Sequence, residues 1–288
     1  MQGEPRKSSL YEGAVLAPMV RCGTLPLRIQ AIAYGANAVW GEELIAQKLA
    51  TCIRVENAAL GTVDFNTPCG SQVFRTCPAL EKGKLICQLG AATAACALAA
   101  SRVVEADVDG IDINMGCPIK FSIQGGMGAA LLEKIEVAED IVRTLATNLS
   151  IPVSAKIRLL ATQEETIAFA KRLADAGAAC ITVHMRSKDE RDRSPARWGT
   201  LAPIVKALYP TPVLANGDMY RWPDIDALMT GSGCTGVMLA RPALLNLSMF
   251  RRDKPLIPLE RVIFSYLEEN VRWDGVYQNT KYTVSSTV

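Results

Sequence analysis

The sequence predicts an α/β fold of the (β/α)8 TIM-barrel type, followed by a short helical segment. Three observations lead there. Eight short β-branched or apolar runs recur along the 288 residues, segments of helical period separate them, and 49% of the chain is hydrophobic, enough for one large core. A chain that alternates strand and helix eight times over about 250 residues closes into a parallel barrel.

The candidate strands are Ala14 to Pro18, Ala38 to Gly41, Leu85 to Leu89, Gly110 to Asn114, Pro152 to Arg158, Cys180 to His184, Pro212 to Asn216 and Thr235 to Ala240. The clearest helix between them opens at Thr162 with Glu165 three residues on, a capping box, and stops at Gly177. The connection 42–84 carries the turn residues Asn66, Pro68, Gly70, Pro78 and Gly83, and reads as a helix plus excursions over the barrel. After residue 254, Leu259, Val262, Ile263, Tyr266, Leu267 and Val271 recur at helical spacing and form one amphipathic helix. The final Thr-Val-Ser-Ser-Thr-Val reads as the end of helix. We therefore divide the chain into a barrel, 1–254, and the start of a shortened helical region, 255–288.

One stretch organises the barrel. In 109–128, Ile111 and Ile113 alternate with Asp112 and Asn114, and the strand ends at Gly116-Cys117-Pro118. A cysteine is thus presented where a strand stops. Glycines 125, 126 and 128 let the next loop pack close to it. Most of the nine cysteines are space-filling by default, since free cysteine is among the most buried residue types; location singles out Cys117. A dinucleotide fingerprint is rejected, because Leu131 stands where its third glycine belongs.

Composition excludes other classes. An odd number of cysteines without a C-x-x-C pair does not suggest a disulfide framework, and a single histidine makes a Cys/His zinc site a poor reading, so no metal is expected. Residues 1–9 lack the apolar core of a signal peptide, and Leu89 to Ala100 falls short of a membrane span. The reading is a soluble, cytoplasmic protein with no membrane partner. A net charge of +2 gives nucleic acid little support by itself, so any RNA surface is a local patch.

Asn114-Met-Gly-Cys117-Pro118 followed by Gly125-Gly-Met-Gly-Ala-Ala-Leu-Leu132 resembles the signature of the tRNA-dihydrouridine synthases. Leu16-Ala-Pro-Met-Val-Arg21 with Gly23-Thr-Leu-Pro26, and Asn279-Thr-Lys-Tyr282, are similar to the eukaryotic branch that modifies position 20 of the D-loop. The resemblance runs from about residue 14 to 282. It implies the same barrel, FMN as cofactor, NADPH as reductant and tRNA as partner, gripped by a helical domain after the barrel.

In such barrels reactive groups come from the C-terminal ends of strands, with phosphate at the loops after strands seven and eight. Asn216-Gly217-Asp218 and Ala240-Arg241 stand at those two places, where backbone donors, a permissive glycine and a guanidinium suit an anion. Each alone also fits a plain turn or a solvated helix start. Lys156 and Arg158 share one face of strand five, as a salt bridge, as snorkelling side chains or as groups above a ligand; the resemblance implies that Lys156 faces a flavin and leaves Arg158 for substrate. Gln88 closes strand three with an amide that both donates and accepts. The resemblance further implies that Pro18, Met19, Glu43, Gln88 and His184, the sole histidine, contact FMN.

The departures from the pattern are Met185 and Asp218 in place of glycine and Ile119 in place of lysine. A bulkier 185 is expected to crowd the flavin, and loss of the 119 charge to weaken RNA contact. The run Arg186 to Arg193 reads as a solvated loop or an RNA clamp.

By this resemblance, flavin N5 passes hydride to C6 of uracil in tRNA and Cys117 protonates C5, with Asn114 orienting the base. A thiol with an ordinary pKa near 8.5 is mostly protonated at pH 7 and fits a general acid. Two alternatives stay open: a flavin oxidoreductase acting on a free pyrimidine or dihydroorotate-like substrate, and a catalytically silent tRNA-binding or regulatory protein.

Overall fold

The computed structural model describes residues 10–190 and 193–287. β1 (Gly13–Leu16) is followed by α1 (Leu25–Tyr34), β2 (Val39–Ile45) and the one-turn α2 (Ala46–Leu49). Three strands then leave the alternation: β3 (Ile53–Asn57), β4 (Thr62–Asn66) and β5 (Gln72–Thr76), closed by α3 (Pro78–Glu81). The alternation resumes with β6 (Leu85–Gly90), α4 (Ala94–Val104), β7 (Gly110–Met115), a short α5 (Lys120–Gln124), α6 (Ile135–Asn148), β8 (Val153–Leu159) and α7 (Gln163–Asp175). β9 (Cys180–Ser187), α8 (Leu201–Leu208), β10 (Val213–Asn216), α9 (Trp222–Ser232), β11 (Gly236–Leu239) and α10 (Arg241–Leu245) complete the ring. The closed barrel runs β1-β2-β6-β7-β8-β9-β10-β11 and back to β1, with every pair parallel. All eight expected strands are present.

The core follows the pleat. Val15, Trp40, Ile86, Cys180, Leu214 and Met238 form one buried cluster inside the ring, while the alternate residues Leu16, Val39, Cys87, Ile111, Ala155, Ile181, Ala215 and Val237 pack against the helices. The capping box of α7 is formed: Thr162 Oγ1 accepts from Glu165 N–H at 3.1 Å, and Gly177 ends the helix region with φ +107°.

Four expectations change. The 42–84 connection holds its helix, but also an antiparallel sheet in the order β3-β4-β5. β2 does not stop at Gly41; it continues through a bulge between Trp40 and Glu43, so Glu43 lies within the strand, opposite Gln88. β9 does not stop at His184 either. It runs on to Ser187, so Arg186 is a strand residue, 2% exposed, and not part of a basic loop; residues 191 and 192 of that run lie outside the described residues.

The fourth concerns the C-terminus. α11 (Leu259–Arg272) is the expected amphipathic helix, with Val262 and Tyr266 in the main core and Gln30 Nε2 of α1 donating to Val262 O at 2.9 Å. A further helix, α12 (Tyr277–Thr287), then runs through the stretch expected to end it. Its hydroxyls bond back to carbonyls one turn earlier, Ser286 to Tyr282 and Thr287 to Thr283, which satisfies them without opening the helix. Buried Thr283 and partly buried Val284 face the rest of the protein.

Candidate active site

The turn after β7 is held from both sides. Asn114 Oδ1 accepts from the N–H groups of Gly116 and Cys117, each at 2.9 Å. Ala129 N–H donates to Cys117 O at 2.9 Å, and Gly128, at φ +59°, lies so close that a Cβ there would sit 2.7 Å from the same oxygen. The glycine loop packs under the cysteine as its composition suggested. Ser122 of α5 directs its hydroxyl at Cys117 Sγ, 3.7 Å away.

Cys117 is half-buried. Burial pushes its thiol up, the Glu43 carboxylate beside it adds to the rise, and the Ile119 N–H and Ser122 hydroxyl offset part of it. Burial also raises the Glu43 carboxyl, against interactions with Cys117, Asn114 and Lys156. Its Oε1 is buried without a partner and lies over Gly90, where a Cβ would come within 2.6 Å. Lys156, paired in register with Asn114, is lowered to about 8 by burial and by Arg158, with Asp112, Cys117 and Glu43 pulling the other way. Gln88, Glu43, Asn114, Lys156 and Cys117 thus form one polar cluster at the C-terminal end of β2, β6, β7 and β8.

A second cluster surrounds a cavity of about 210 Å3 over β9, β10 and β11. Arg158, His184, Asn216, Gly217, Asp218, Ala240 and Arg241, all expected from the sequence, line it together with Arg186. Asp218 does not offer its side chain to an anion. Its carboxylate takes Arg241 at 2.6 Å and Arg186 on the other oxygen, plus the Ala196 N–H at 2.8 Å. Burial alone would raise that carboxyl, yet these donors hold it below the usual range. Asn216 spends its amide on Met238 O at 2.7 Å. Burial and the neighbouring cations Lys156, Arg158, Arg186 and Arg241 hold the His184 imidazole neutral, lowered to about 2. Three guanidiniums against Asp218 and Glu190 leave a net positive cavity.

Arg158 links the two clusters, its Nε donating to Gly116 O at 2.8 Å and Nη1 to Ser187 O at 2.9 Å. Pro18 and Met19, partly exposed after β1, do not line the cavity. Met185 does not crowd it: between His184 and Arg186 on the strand, it faces the opposite way and is fully buried in the outer layer. Ile119 is 56% exposed. Arg186 and Asp112 were not singled out from the sequence; strict alternation with His184 and Asn114 was the available signal.

The guanidiniums and the φ +128° glycine of the cavity suit a phosphate group. Among the described residues no group of three or more His, Cys, Asp or Glu could hold a metal ion, and no helix is long and apolar enough to cross a membrane.

Residues 15–262 match the family described as dihydrouridine synthase (Dus). The chain is 38% identical over 280 residues to the tRNA-dihydrouridine(20) synthase [NAD(P)+] of Schizosaccharomyces pombe, covering 94% of this chain and 58% of that protein. With the enzyme of the same name from Saccharomyces cerevisiae it shares 38% over 293 residues, 95% of this chain and 76% of that one. The chain therefore spans a little over half the length of the first relative and three quarters of the second. Morphinone reductase in complex with tetrahydroNAD shares the fold at 12% identity and a TM-score of 0.57, over 88% of this chain and 89% of that one. 2-Naphthoyl-CoA reductase does so at 11% and 0.57, over 83% and 49%.

Proposed function

Because the chain belongs to the dihydrouridine synthase family, we propose that it reduces uridine to 5,6-dihydrouridine in the D-loop of tRNA, at position 20, with FMN and NADPH. The observation that carries the reading is Cys117: a half-buried thiol at the end of β7, pushed toward its protonated form, held on the Asn114 turn and close to Lys156.

Arg241, Arg186 and the backbone N–H groups at Gly217 and Asp218 would hold the phosphate, and Lys156 and His184 the ring end, while Gln88, its amide spent on Asp112 and Asn114, would act from behind them. FMN, when bound, supplies the hydride that NADPH provides. Lys156 places positive charge where negative charge builds up. Cys117 Sγ gives its proton to the pyrimidine carbon left electron-rich, so hydride plus proton complete a two-electron reduction. Raising the thiol pKa keeps that proton on sulfur at neutral pH. Asn114 holds the turn that aims it, with both N–H groups on one oxygen.

Residues 1–254 form the catalytic unit in this reading, and 255–288 begin the region that grips tRNA. α12 lies against the barrel mouth: the Arg21 guanidinium, just after β1, stacks 5.3 Å from the Tyr282 ring centre. Extruding the uridine costs a few kcal/mol, which contacts between the protein and tRNA must offset.

The direct test is Cys117→Ala. The variant is expected to stay yellow and NADPH-reducible while losing dihydrouridine formation on unmodified tRNA. Full activity would remove the cysteine from the mechanism.

A further inference from the structure

A line of hydrogen bonds links the barrel interior to the Cys117 turn, and every donor along it points toward Asp112. Ser154 Oγ donates to Asp112 Oδ1 at 2.7 Å, and Gln88 Nε2 donates to Asp112 Oδ2 at 2.7 Å. Gln88 Oε1, the other end of that amide, accepts from Asn114 Nδ2 at 3.3 Å. Asn114 Oδ1 then accepts the N–H groups of Gly116 and Cys117. Asp112 and Ser154 are 0% exposed and Gln88 1%, so none of these groups can turn to water.

Each amide in the line has one donor end and one acceptor end, and fixing the first fixes the second. Only an acceptor at position 112 forces Gln88 to keep Nε2 down and Oε1 up. That in turn forces Asn114 to keep Oδ1 toward the turn. Reversed, Asn114 would set its Nδ2 against two backbone donors. Burial raises Asp112 to about 6 against the bonds from Ser154 and Gln88 and the charge of Lys156, and both of its oxygens accept.

We propose that Asp112 is a positioning residue for the thiol: without touching Cys117, it sets the polarity of the Gln88 and Asn114 amides and so fixes the turn that aims Sγ. The role of that thiol as proton donor rests on the function proposed above, but the positioning is measurable without it.

The test is the rate of iodoacetamide alkylation of each cysteine, resolved by peptide mass spectrometry, in the flavin-loaded protein as purified. Asp112→Ala removes the anchor and is expected to raise alkylation at Cys117 roughly tenfold, the order set by losing a buried acceptor, with a matching fall in kcat and little change in KM for tRNA. Cys87, next to Gln88 on β6, and Cys180, in register with Ser154, are both fully buried and are expected to stay unreactive. Asp112→Asn is expected to restore the slow rate. Its Oδ1 can still accept from Gln88, while its Nδ2 can meet Ser154 Oγ, whose proton has Ile111 O within 3.5 Å. Should Asp112→Ala not fold, Gln88→Met cuts the line one link higher and is expected to show the same selective rise.

Unchanged Cys117 alkylation in Asp112→Ala would overturn the proposal. Parallel rises at Cys87 and Cys180 would do so too, since they mean general loosening. An Asp112→Asn variant as fast as Asp112→Ala would show that charge, not bond direction, matters. If the protein did not reduce tRNA, the kcat and KM readouts would be lost but the alkylation pattern of the variants would still decide the positioning.

Discussion

Arg241 Nη2 donates to Asp218 Oδ1 at 2.6 Å, while the other oxygen of the same carboxylate holds the buried Arg186. One acid therefore sets the position of two cations over the cavity. Asp218 also sits at φ +60°, a backbone conformation that short polar side chains tolerate. Asp218→Asn is expected to destabilise the fold by about 1–3 kcal/mol at pH 7, because Arg186 keeps its burial and loses its counter-charge. The sign against pH follows from the depressed carboxyl. Its contribution is present above the unfolded value near 3.9 and lost as pH falls through the folded one. Urea melts of the two proteins are expected to separate at pH 7 and converge in acid.

The His184 imidazole makes a second pH signature. Its folded pKa is depressed below the unfolded value of about 6.5, so its contribution is fully present above about pH 6.5 and lost as pH falls. At pH 5.5 the loss amounts to about 1.4 kcal/mol. His184→Asn is expected to lack this part of the acid sensitivity, read as a smaller shift in urea midpoint between pH 7.5 and 5.5. An equal shift in both proteins would mean that burial and the surrounding cations do not depress the ring.

These two groups also show what was legible beforehand. Strand interiors are legible, because strands buried on both faces read as short apolar runs, and where the inward face turns polar, Ile111 and Ile113 against Asp112 and Asn114 give the phase of β7. The C-terminal ends of β2 and β9 are not. There the inward residues are polar because they form the site, so Met185-Arg186-Ser187 reads as a loop although β9 continues through it. Glu42 and Glu43 hid the end of β2 for the same reason, aided by the bulge. The β3-β4-β5 sheet is hidden because Asn66, Pro68 and Gly70 carry turn signals that do not distinguish a loop from the turn between two antiparallel strands, β4 and β5.

Gly128 separates two costs usually confounded. Gly61 and Gly128 have nearly the same backbone, φ +66° and +59°, but a Cβ at 61 meets nothing within 4 Å and one at 128 meets Cys117 O at 2.7 Å. Gly61→Ala is expected to cost about 1 kcal/mol from backbone conformation alone. Gly128→Ala adds the collision, so it is expected to cost about 2–4 kcal/mol and to abolish dihydrouridine formation by displacing the cysteine turn. Equal stabilities, from thermal or urea unfolding, would mean that the turn yields freely.

The Arg28–Glu81 pair joins α1 to α3 with both side chains almost fully buried, 1% and 2% exposed. Arg28 Nε meets Glu81 Oε1 at 2.6 Å, and the remaining guanidinium donors reach Gly23 O at 2.8 Å and Arg75 O at 2.7 Å. Glu81 also accepts the Cys77 N–H at 2.9 Å. Arg28→Met removes every donor at once and strands the carboxylate, an expected loss of about 3–5 kcal/mol. Glu81→Gln leaves Arg28 its two carbonyls and one amide oxygen, and is expected to cost about 1–3 kcal/mol. The order of the two urea midpoints checks the asymmetry. If Glu81→Gln proved the more damaging, the arginine would be held chiefly by its charge partner and the carbonyl bonds would contribute little.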